Sequence, residues 1–442
     1  MASLQLEVRV LNSPELAAHG VLQAIRATES GDREVAARGY RAALATRFVH
    51  PDSWSNLAAL AIGLEDPQAA RQHAMRAVQL DARHADAWVN LGVASWHAGQ
   101  RREGAQAMHQ ALLHAQGMEA AALNYALMLR VVGRLEQAHA ILAAAVQANP
   151  GQWRLHLALA DMSRLLERHD IARRHVLAAL DAMPIPARGA LVAAPAAPKQ
   201  TPAEGTEAVS QVLLATADAL QRASLPFHLI GGTLLALYRD GDPFPHDKDI
   251  DLGMSSDLDR DLVQAALADA FTPMVRPGEK EDAASREWVM GFIHPPTGIG
   301  VDLMFMQPRG DLLRFQLGWP DHLACEIPAY GLQALAWRGR EWSVPSPPED
   351  YLAAIYGPDW NGEVHGRGFD RRYFDTQVSN PSRSRDSLPR ALTLGMLRLV
   401  EAVRTGQWMK ADALGQQILA REDLPEVRRL RARLPRPTMA PA

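Results

Sequence analysis

The sequence predicts a multidomain protein, with an all-α helical-repeat domain followed by an α+β domain and a C-terminal helical hairpin. Three observations support this. Residues recur at a spacing of 34 in the first half, an Ala- and Pro-rich stretch lies near the middle, and acidic residues stand inside apolar segments of the second half. The predicted bounds are 1–186 for the repeats, 187–205 for a linker, 206–380 for the α+β domain and 387–436 for the C-terminal helices.

Composition limits the class of protein. With 442 residues, 48% apolar and 22% charged, the chain has the balance of folded globular domains and exceeds one ordinary core. A net charge of -4 gives no general attraction to nucleic acid, so no nucleic-acid partner is expected. The start resembles no signal peptide and no long apolar run follows, so we expect a cytoplasmic protein without a transmembrane segment. Cys325 is the only cysteine and is expected to be a buried structural thiol.

The repeat prediction rests on residue columns at a shift of 34, which aligns Trp54 with Trp88. Small residues form two further columns where paired helices must approach closely. About five repeats fit, over 17–186. The columns are Ala36, Ala70, Gly104, Ala138, Ala172 and Ala43, Ala77, Ala111, Ala145, Ala179.

These columns, with the Trp-x-x-Leu-Gly of residues 88–92, resemble tetratricopeptide (TPR) repeats. Such helix pairs stack into a superhelix whose concave face commonly holds a peptide or a partner protein. The resemblance implies a protein partner bound through the repeats. The fold alone does not identify that partner.

A glycine pair opens the first candidate site. The predicted strand 226–230 runs into Gly231, Gly232 and Thr233, and a helix over 234–239 is expected. Two glycines between a strand and a helix let free amides approach a phosphate, although a plain turn is the competing interpretation. Arg239 is predicted either to clamp a phosphate or to form a surface ion pair.

Acidic residues form the second candidate site. Asp247, Asp249 and Asp251 alternate along a predicted strand and so share one face, and Asp302 is the lone charge in the apolar segment 298–306. Clustered carboxylates need a cation or protons, so we predict that these four residues bind magnesium or manganese. Asp249, Asp251 and Asp302 are the predicted catalytic residues, because such acids hold metal across a phosphoryl group and accept a proton from the nucleophile.

Two other structures use acidic segments of this kind. A calcium loop is excluded, because Leu252 stands where that loop needs glycine and Leu258 where it needs glutamate. A solvated acidic turn stays open, but the apolar neighbours Ile250, Val301 and Leu303 favour the metal site.

The order of these motifs resembles the LicD and fukutin group of the nucleotidyltransferase superfamily, over residues 207–375. Two positions depart from that pattern, with His246 where the family commonly has Trp and Lys248 where it has Asp. The matching segments are Leu229–Leu235, Arg239, Phe244-Pro245, Asp247–Asp251, Val344-Pro345 and Tyr351–Trp360.

The resemblance implies transfer of a substituted phosphate, such as phosphocholine or a pentitol phosphate, from a CDP-linked nucleotide diphosphate donor. The acceptor would be a glycan, glycoconjugate or protein, recruited by the TPR domain. His246, Lys248, Tyr356 and Trp360 are candidate substrate contacts. The imidazole of His246 and the charge of Lys248 would point to a different donor group, with filling of a loop as the alternative for His246. Packing is the alternative for Tyr356 and Trp360. Two other functions stay open: an inert scaffold, and transfer of a nucleoside monophosphate to a protein or small molecule.

Overall fold

The computed structural model describes residues 6–11, 15, 20–185, 205–245, 247–275, 286–361 and 375–435. It divides into two compact units, Met1–Leu166 (unit 1) and Glu167–Ala442 (unit 2). The predicted repeat boundary at 186 therefore falls inside unit 2. Of the predicted linker, only Gly205 lies within the described residues.

Helix pairs build unit 1, and their starts repeat the predicted spacing. First helices begin at residues 51, 85, 119 and 153, and second helices at 33, 67, 101 and 135. This confirms the helical-repeat prediction. The helices are α1 Val21–Glu29, α2 Arg33–Leu44, α3 Pro51–Gly63, α4 Pro67–Leu80, α5 Ala85–His97, α6 Arg101–His114, α7 Glu119–Val131, α8 Leu135–Ala148 and α9 Trp153–Leu165.

The small-residue columns lie where helices touch. Ala36, Ala70 and Ala138 are fully buried. At Gly104, an added Cβ would lie 2.9 Å from the carbonyl oxygen of Gly92 and 3.2 Å from the amide nitrogen of Trp96. Contacts this short leave no room for a side chain, which confirms the close approach of α5 and α6.

A mixed sheet forms the centre of unit 2. Its order is β1-β2-β5-β4-β3, β6 pairs with the end of β5 and with β7, and β8 and β9 form a separate hairpin. Only the β2–β5 pair is parallel among the pairs described. The strands are β1 His228–Leu229, β2 Asp249–Ser255, β3 Thr272–Pro273, β4 Val289–Ile293, β5 Gly300–Arg309, β6 Leu312–Gln316, β7 Ala324–Pro328, β8 Gly331–Trp337 and β9 Arg340–Ser346.

Helices cover the sheet through an apolar core that includes the fully buried Phe292 and Phe305. After β1, the chain forms α12 and then a π-helical turn, Ala236–Asp240, in place of the single helix expected over 234–239. The helices of unit 2 are α10 His169–Ala182, α11 Thr206–Arg222, α12 Gly231–Leu235, α13 Arg260–Leu267, α14 Pro348–Tyr356, α15 Thr376–Ser379, α16 Leu388–Arg404, α17 Trp408–Arg421 and α18 Pro425–Arg433.

The C-terminal helices pack against α10, which continues the 34-residue period of the repeats. Arg173 of α10 pairs with Glu422 at 2.5 Å, and Arg429 of α18 donates to Asp181 at 2.9 Å. The predicted C-terminal hairpin is confirmed. In the described part of the chain, no helix is both long and apolar enough to cross a membrane.

Candidate active site

Three of the predicted acidic residues meet on two neighbouring strands. The parallel register of β2 and β5 places Asp251 opposite Asp302, and Asp249 lies two residues earlier on β2, opposite Gly300. Residues two apart in a strand share a face, so these carboxylates lie on one side of the sheet. Asp247 precedes β2 instead of lying in it, and its N–H donates to the Phe244 carbonyl at 3.1 Å.

Burial and mutual repulsion dominate the electrostatics of this cluster. Burial raises the pKa of Asp251 well above its usual value, and the charges of Asp249, Asp302 and Asp247 raise it further. The pKa of Asp247 rises to about 7, mainly through burial and then through Asp249. Asp249 has an exposed side chain, yet partial desolvation raises its pKa and Lys248 opposes the shift. Carboxylates that repel one another in this way attract a positive charge.

The glycine turn wraps around Asp251. Gly231 has a φ of 54°, and an added Cβ there would lie 2.4 Å from Asp251 Oδ2. The Gly232 N–H donates to the same oxygen at 2.9 Å, and the Asp251 N–H donates to Thr233 Oγ1 at 2.9 Å. These groups therefore position a carboxylate here, and phosphate binding by them stays a prediction.

The donor set fits a hard divalent cation in its chemistry, because carboxylate oxygens are the ligands that Mg²⁺ and Mn²⁺ prefer. Gly291 faces Asp302 across β4 and β5, and an added Cβ would lie 3.3 Å from Asp302 Oδ1, so the space beside this carboxylate is tight. Among the described residues, however, no three His, Cys, Asp or Glu side chains already converge on a point suited to a metal ion. Binding would therefore need the side chains to rotate toward a shared point.

Of the two roles predicted for Arg239, a phosphate clamp or an ion pair, the structure contains the ion pair. Its Nε donates to Asp240 Oδ1 at 2.9 Å, and a second nitrogen donates to Oδ2 at 3.0 Å. The guanidinium also lies over the Phe244 ring, and the Arg239 side chain is only 8% exposed. A phosphate would have to compete with Asp240 for this guanidinium.

The aromatic candidates differ in what they face. Tyr356 is buried, and its pKa is raised by burial and then by Asp251, Asp247 and Asp249, so its hydroxyl lies in the field of the acidic cluster. Trp360 is buried 6.1 Å from the Tyr238 ring, which fits the packing alternative. Lys248 is exposed beside the cluster, and His246 lies outside the described residues.

Two further groups near the site are far away in the sequence. The buried Tyr351 hydroxyl of α14 accepts the Gly231 N–H at 3.1 Å, which fixes the turn below Asp251. Burial and then the charge of Arg398 lower the pKa of Lys410 in α17, and the charge of Lys248 makes a smaller contribution in the same direction. No local motif marks either residue, because tertiary packing alone brings them here.

Comparison with known families decides the assignment of this region. Residues 224–343 match the family described as LicD/FKTN/FKRP, nucleotidyltransferase domain. This segment is a LicD-type domain. It contains the glycine turn and the carboxylates of the site, and membership of this family suggests a transferase of the phosphotransferase kind.

Solved structures match the N-terminal helical region of the chain. A MamA protein structure has 18% identity and a TM-score of 0.31, covering 38% of this chain and 93% of that one. PilF of Pseudomonas aeruginosa has 19% identity and a TM-score of 0.33, covering 40% and 82%. A thermophilic TPR protein of Thermus thermophilus has 17% identity and a TM-score of 0.32, covering 38% and 91%. No curated protein matches the chain significantly.

The buried thiol prediction agrees with the structure. Cys325 is 1% exposed, and its sulfur accepts from Arg383 at 3.1 Å and from Asn380 at 3.6 Å. Burial raises the pKa of this thiol, which keeps it protonated and inert.

Proposed function

We propose that the LicD domain transfers a substituted phosphate, of the phosphocholine or pentitol-phosphate kind, from a CDP-linked donor to a glycan, glycoconjugate or protein acceptor. The supporting observation is the register that sets Asp251 beside Asp302, with Asp249 on the same face. A divalent cation bound there would neutralise charge on the transferring phosphate.

The protein groups around the site have distinct roles in this proposal. Asp249 and Asp251 would hold the cation. Asp302 accepts the proton of the attacking hydroxyl as the new P–O bond forms and the bond to the cytidine monophosphate leaving group breaks. The Gly232 amide and the glycine turn hold Asp251 in place. Lys248 supplies positive charge beside Asp249, which favours an anionic donor over a neutral one.

The repeats are proposed to recruit the acceptor or a protein that carries it. The two functions are then expected to be separable, because Asp249, Asp251 and Asp302 lie in unit 2, whereas helices α1 to α9 lie in unit 1.

Release of cytidine monophosphate from CDP-choline and CDP-ribitol tests the proposal in the full chain, with and without Mg²⁺. We expect Mg²⁺-dependent release that falls at least a hundredfold in Asp302→Asn and Asp249→Asn, in the range seen when metal ligation or general-base chemistry is removed. Asp269→Asn is the matched control, because this exposed carboxylate lies elsewhere in the same unit.

The mass gained by an acceptor separates this function from nucleotidyl transfer. Addition of the substituted phosphate supports the proposal, whereas addition of a whole nucleoside monophosphate supports the nucleotidyltransferase alternative. Turnover that persists in Asp302→Asn and Asp249→Asn would exclude the carboxylate mechanism.

A further inference from the structure

Three asparagines of unit 1 bind the main chain of an extended segment. Asn56, Asn90 and Asn124 are each the sixth residue of the first helix in a repeat, so they recur at intervals of 34. They are 0 to 1% exposed. The bound segment is residues 6–11 of the chain itself, and the repeats supply a side-chain amide to every second residue of it.

Each asparagine makes the same two hydrogen bonds. The Glu7 N–H donates to Asn124 Oδ1 at 2.8 Å, and Asn124 Nδ2 donates to the Glu7 carbonyl at 2.8 Å. Arg9 forms the equivalent pair with Asn90 at 2.6 and 2.7 Å. Leu11 forms it with Asn56 at 2.7 and 2.6 Å.

This geometry matches an extended peptide of almost any sequence. A carboxamide offers one acceptor and an amine donor, which are the counterparts of one residue's N–H and C=O. In an extended chain, every second residue points these groups to the same side, so one repeat advances the segment by two residues, roughly 6.5 Å. The three asparagines, which we call the amide ladder, therefore recognise backbone and not side chains.

Side chains add a preference to this main-chain binding. Leu6 and Val8, on the alternate positions, pack against the apolar cluster that contains Val89 and Met108. On the ladder positions, Arg9 pairs with Asp86 at 2.6 Å and Glu7 pairs with Arg154. A favoured partner segment would carry apolar residues at alternate positions, with an acidic and a basic residue between them.

We propose that the amide ladder is a binding site for an extended segment of a partner protein, and that residues 6–11 compete for it within the chain. A tethered competitor acts at an effective concentration in the millimolar range, so a partner peptide binds only when it outcompetes or displaces this segment. The inference deepens the recruiting role proposed for the repeats. It does not depend on phosphate transfer.

Adjacent proline substitutions in the full chain test the competition. Arg9→Pro removes an N–H that the ladder binds, whereas Val10→Pro falls on an alternate position whose side chain is 40% exposed. The probe is a fluorescein-labelled peptide, Gln-Leu-Glu-Val-Arg-Val-Leu-Asn, followed by anisotropy without donor or Mg²⁺. We expect Arg9→Pro to bind it at least tenfold more tightly than wild type or Val10→Pro, because the internal competitor has been weakened.

Changes to the ladder and to the probe test main-chain recognition. Adding Asn90→Ala to Arg9→Pro should weaken binding roughly tenfold, since two hydrogen bonds are lost. N-methylation of the probe at its Arg should do the same, and N-methylation at the following Val should not. If Asn90→Ala fails to fold, Asn124→Ala makes the same test, and Asn149→Ala is a control for an amide that bonds Gly117 in a loop.

The outcomes are distinct. Failure of Arg9→Pro to bind the probe, or binding that is insensitive to the asparagines and to N-methylation, would overturn the ladder as a peptide site. Because no donor or Mg²⁺ is present, that failure would leave the transferase proposal standing, and loss of cytidine monophosphate release would leave the ladder standing.

Discussion

Unit 1 and the LicD domain handle buried polar groups in opposite ways. In unit 1, the carboxamide of Asn90 is buried and fully engaged by the backbone of Arg9, with Ser55 as a further acceptor. In the LicD domain, Asp251 is held against other acids that raise its pKa. A satisfied polar network stabilises a fold, whereas clustered like charges oppose it until a cation or protons arrive. The satisfied amides of unit 1 are therefore suited to binding a peptide, and the clustered acids of the LicD domain are suited to binding a cation.

The largest expected effect is at the glycine turn. In Gly231→Ala, the new Cβ would meet Asp251 Oδ2 at 2.4 Å in a left-handed backbone conformation, so the carboxylate must move. We expect cytidine monophosphate release to fall by roughly 10- to 100-fold, the range for a change in a group that positions a metal ligand. Gly241→Ala shares the positive φ but has no atom within 4 Å of its Cβ, and should keep most turnover. If both variants lost turnover equally, backbone strain at positive φ would explain the loss, and displacement of Asp251 would not.

A packing change in the repeats should lower the stability of unit 1 and leave the rate of turnover unchanged. Gly104→Val places a side chain against the Gly92 carbonyl and the Trp96 amide. We expect a loss of about 1–3 kcal/mol in the free energy of unfolding of unit 1, measured by chemical denaturation. Turnover per folded molecule should not change, and Gly151→Ala, which has open space around its Cβ, should be nearly neutral. A parallel loss of turnover would contradict the separation of the two functions.

The stability of the LicD domain should depend on pH through His228. Its Nε2 lies 2.9 Å from the Tyr330 hydroxyl, and burial lowers its pKa from 6.5 to about 4. The unfolded chain therefore binds the proton more readily, and stability falls as the pH drops from about 6.5 to about 4, by up to about 3 kcal/mol.

Comparison with His228→Gln isolates this contribution. The raised pKa of Asp247 acts in the opposite direction, since its stability contribution is lost as the pH rises toward about 7. Unfolding by urea at several pH values should therefore show a shallower acid loss in His228→Gln than in wild type. Identical slopes would mean that His228 titrates normally in the folded protein.

The smallest expected effect is a gain in stability. Asp249→Asn removes one of the charges that raise the pKa of Asp251, so repulsion decreases. Because the Asp249 side chain is exposed, we discount the effect for solvent screening and expect a rise in Tm of roughly 1–3 °C without metal. Mg²⁺ should reverse the order by stabilising wild type alone. A lower Tm for Asp249→Asn without metal would contradict the repulsion.

Periodic features and features within one secondary-structure element can be predicted from this sequence. The spacing of 34 predicted the helix pairs, and the alternation of Asp249 and Asp251 predicted their shared face, because each signal lies within one element. The strand assignment failed at Asp247, where a turn bonded to Phe244 replaces the extended chain. The sequence also gives no sign that the hydroxyl of Tyr351 accepts the Gly231 N–H, because tertiary packing alone joins residues this far apart in the chain.

The amide ladder was accessible in principle. Asn56, Asn90 and Asn124 share the period that revealed the small-residue columns, and a buried side-chain amide needs hydrogen-bond partners. The segment that the asparagines bind cannot be identified from the sequence, because residues 6–11 show no repeat and are recognised through their backbone.

The most direct test of the proposed chemistry is the thermal stability of the full chain with cytidine, uridine, adenosine and guanosine diphosphate conjugates, with and without Mg²⁺. Ligands that bind the native state raise its Tm. We predict a Mg²⁺-dependent rise with the cytidine conjugates that disappears in Asp302→Asn and persists in Asp269→Asn. No rise with any nucleotide, or a rise that survives in Asp302→Asn, would contradict a carboxylate-bound metal as the centre of the site.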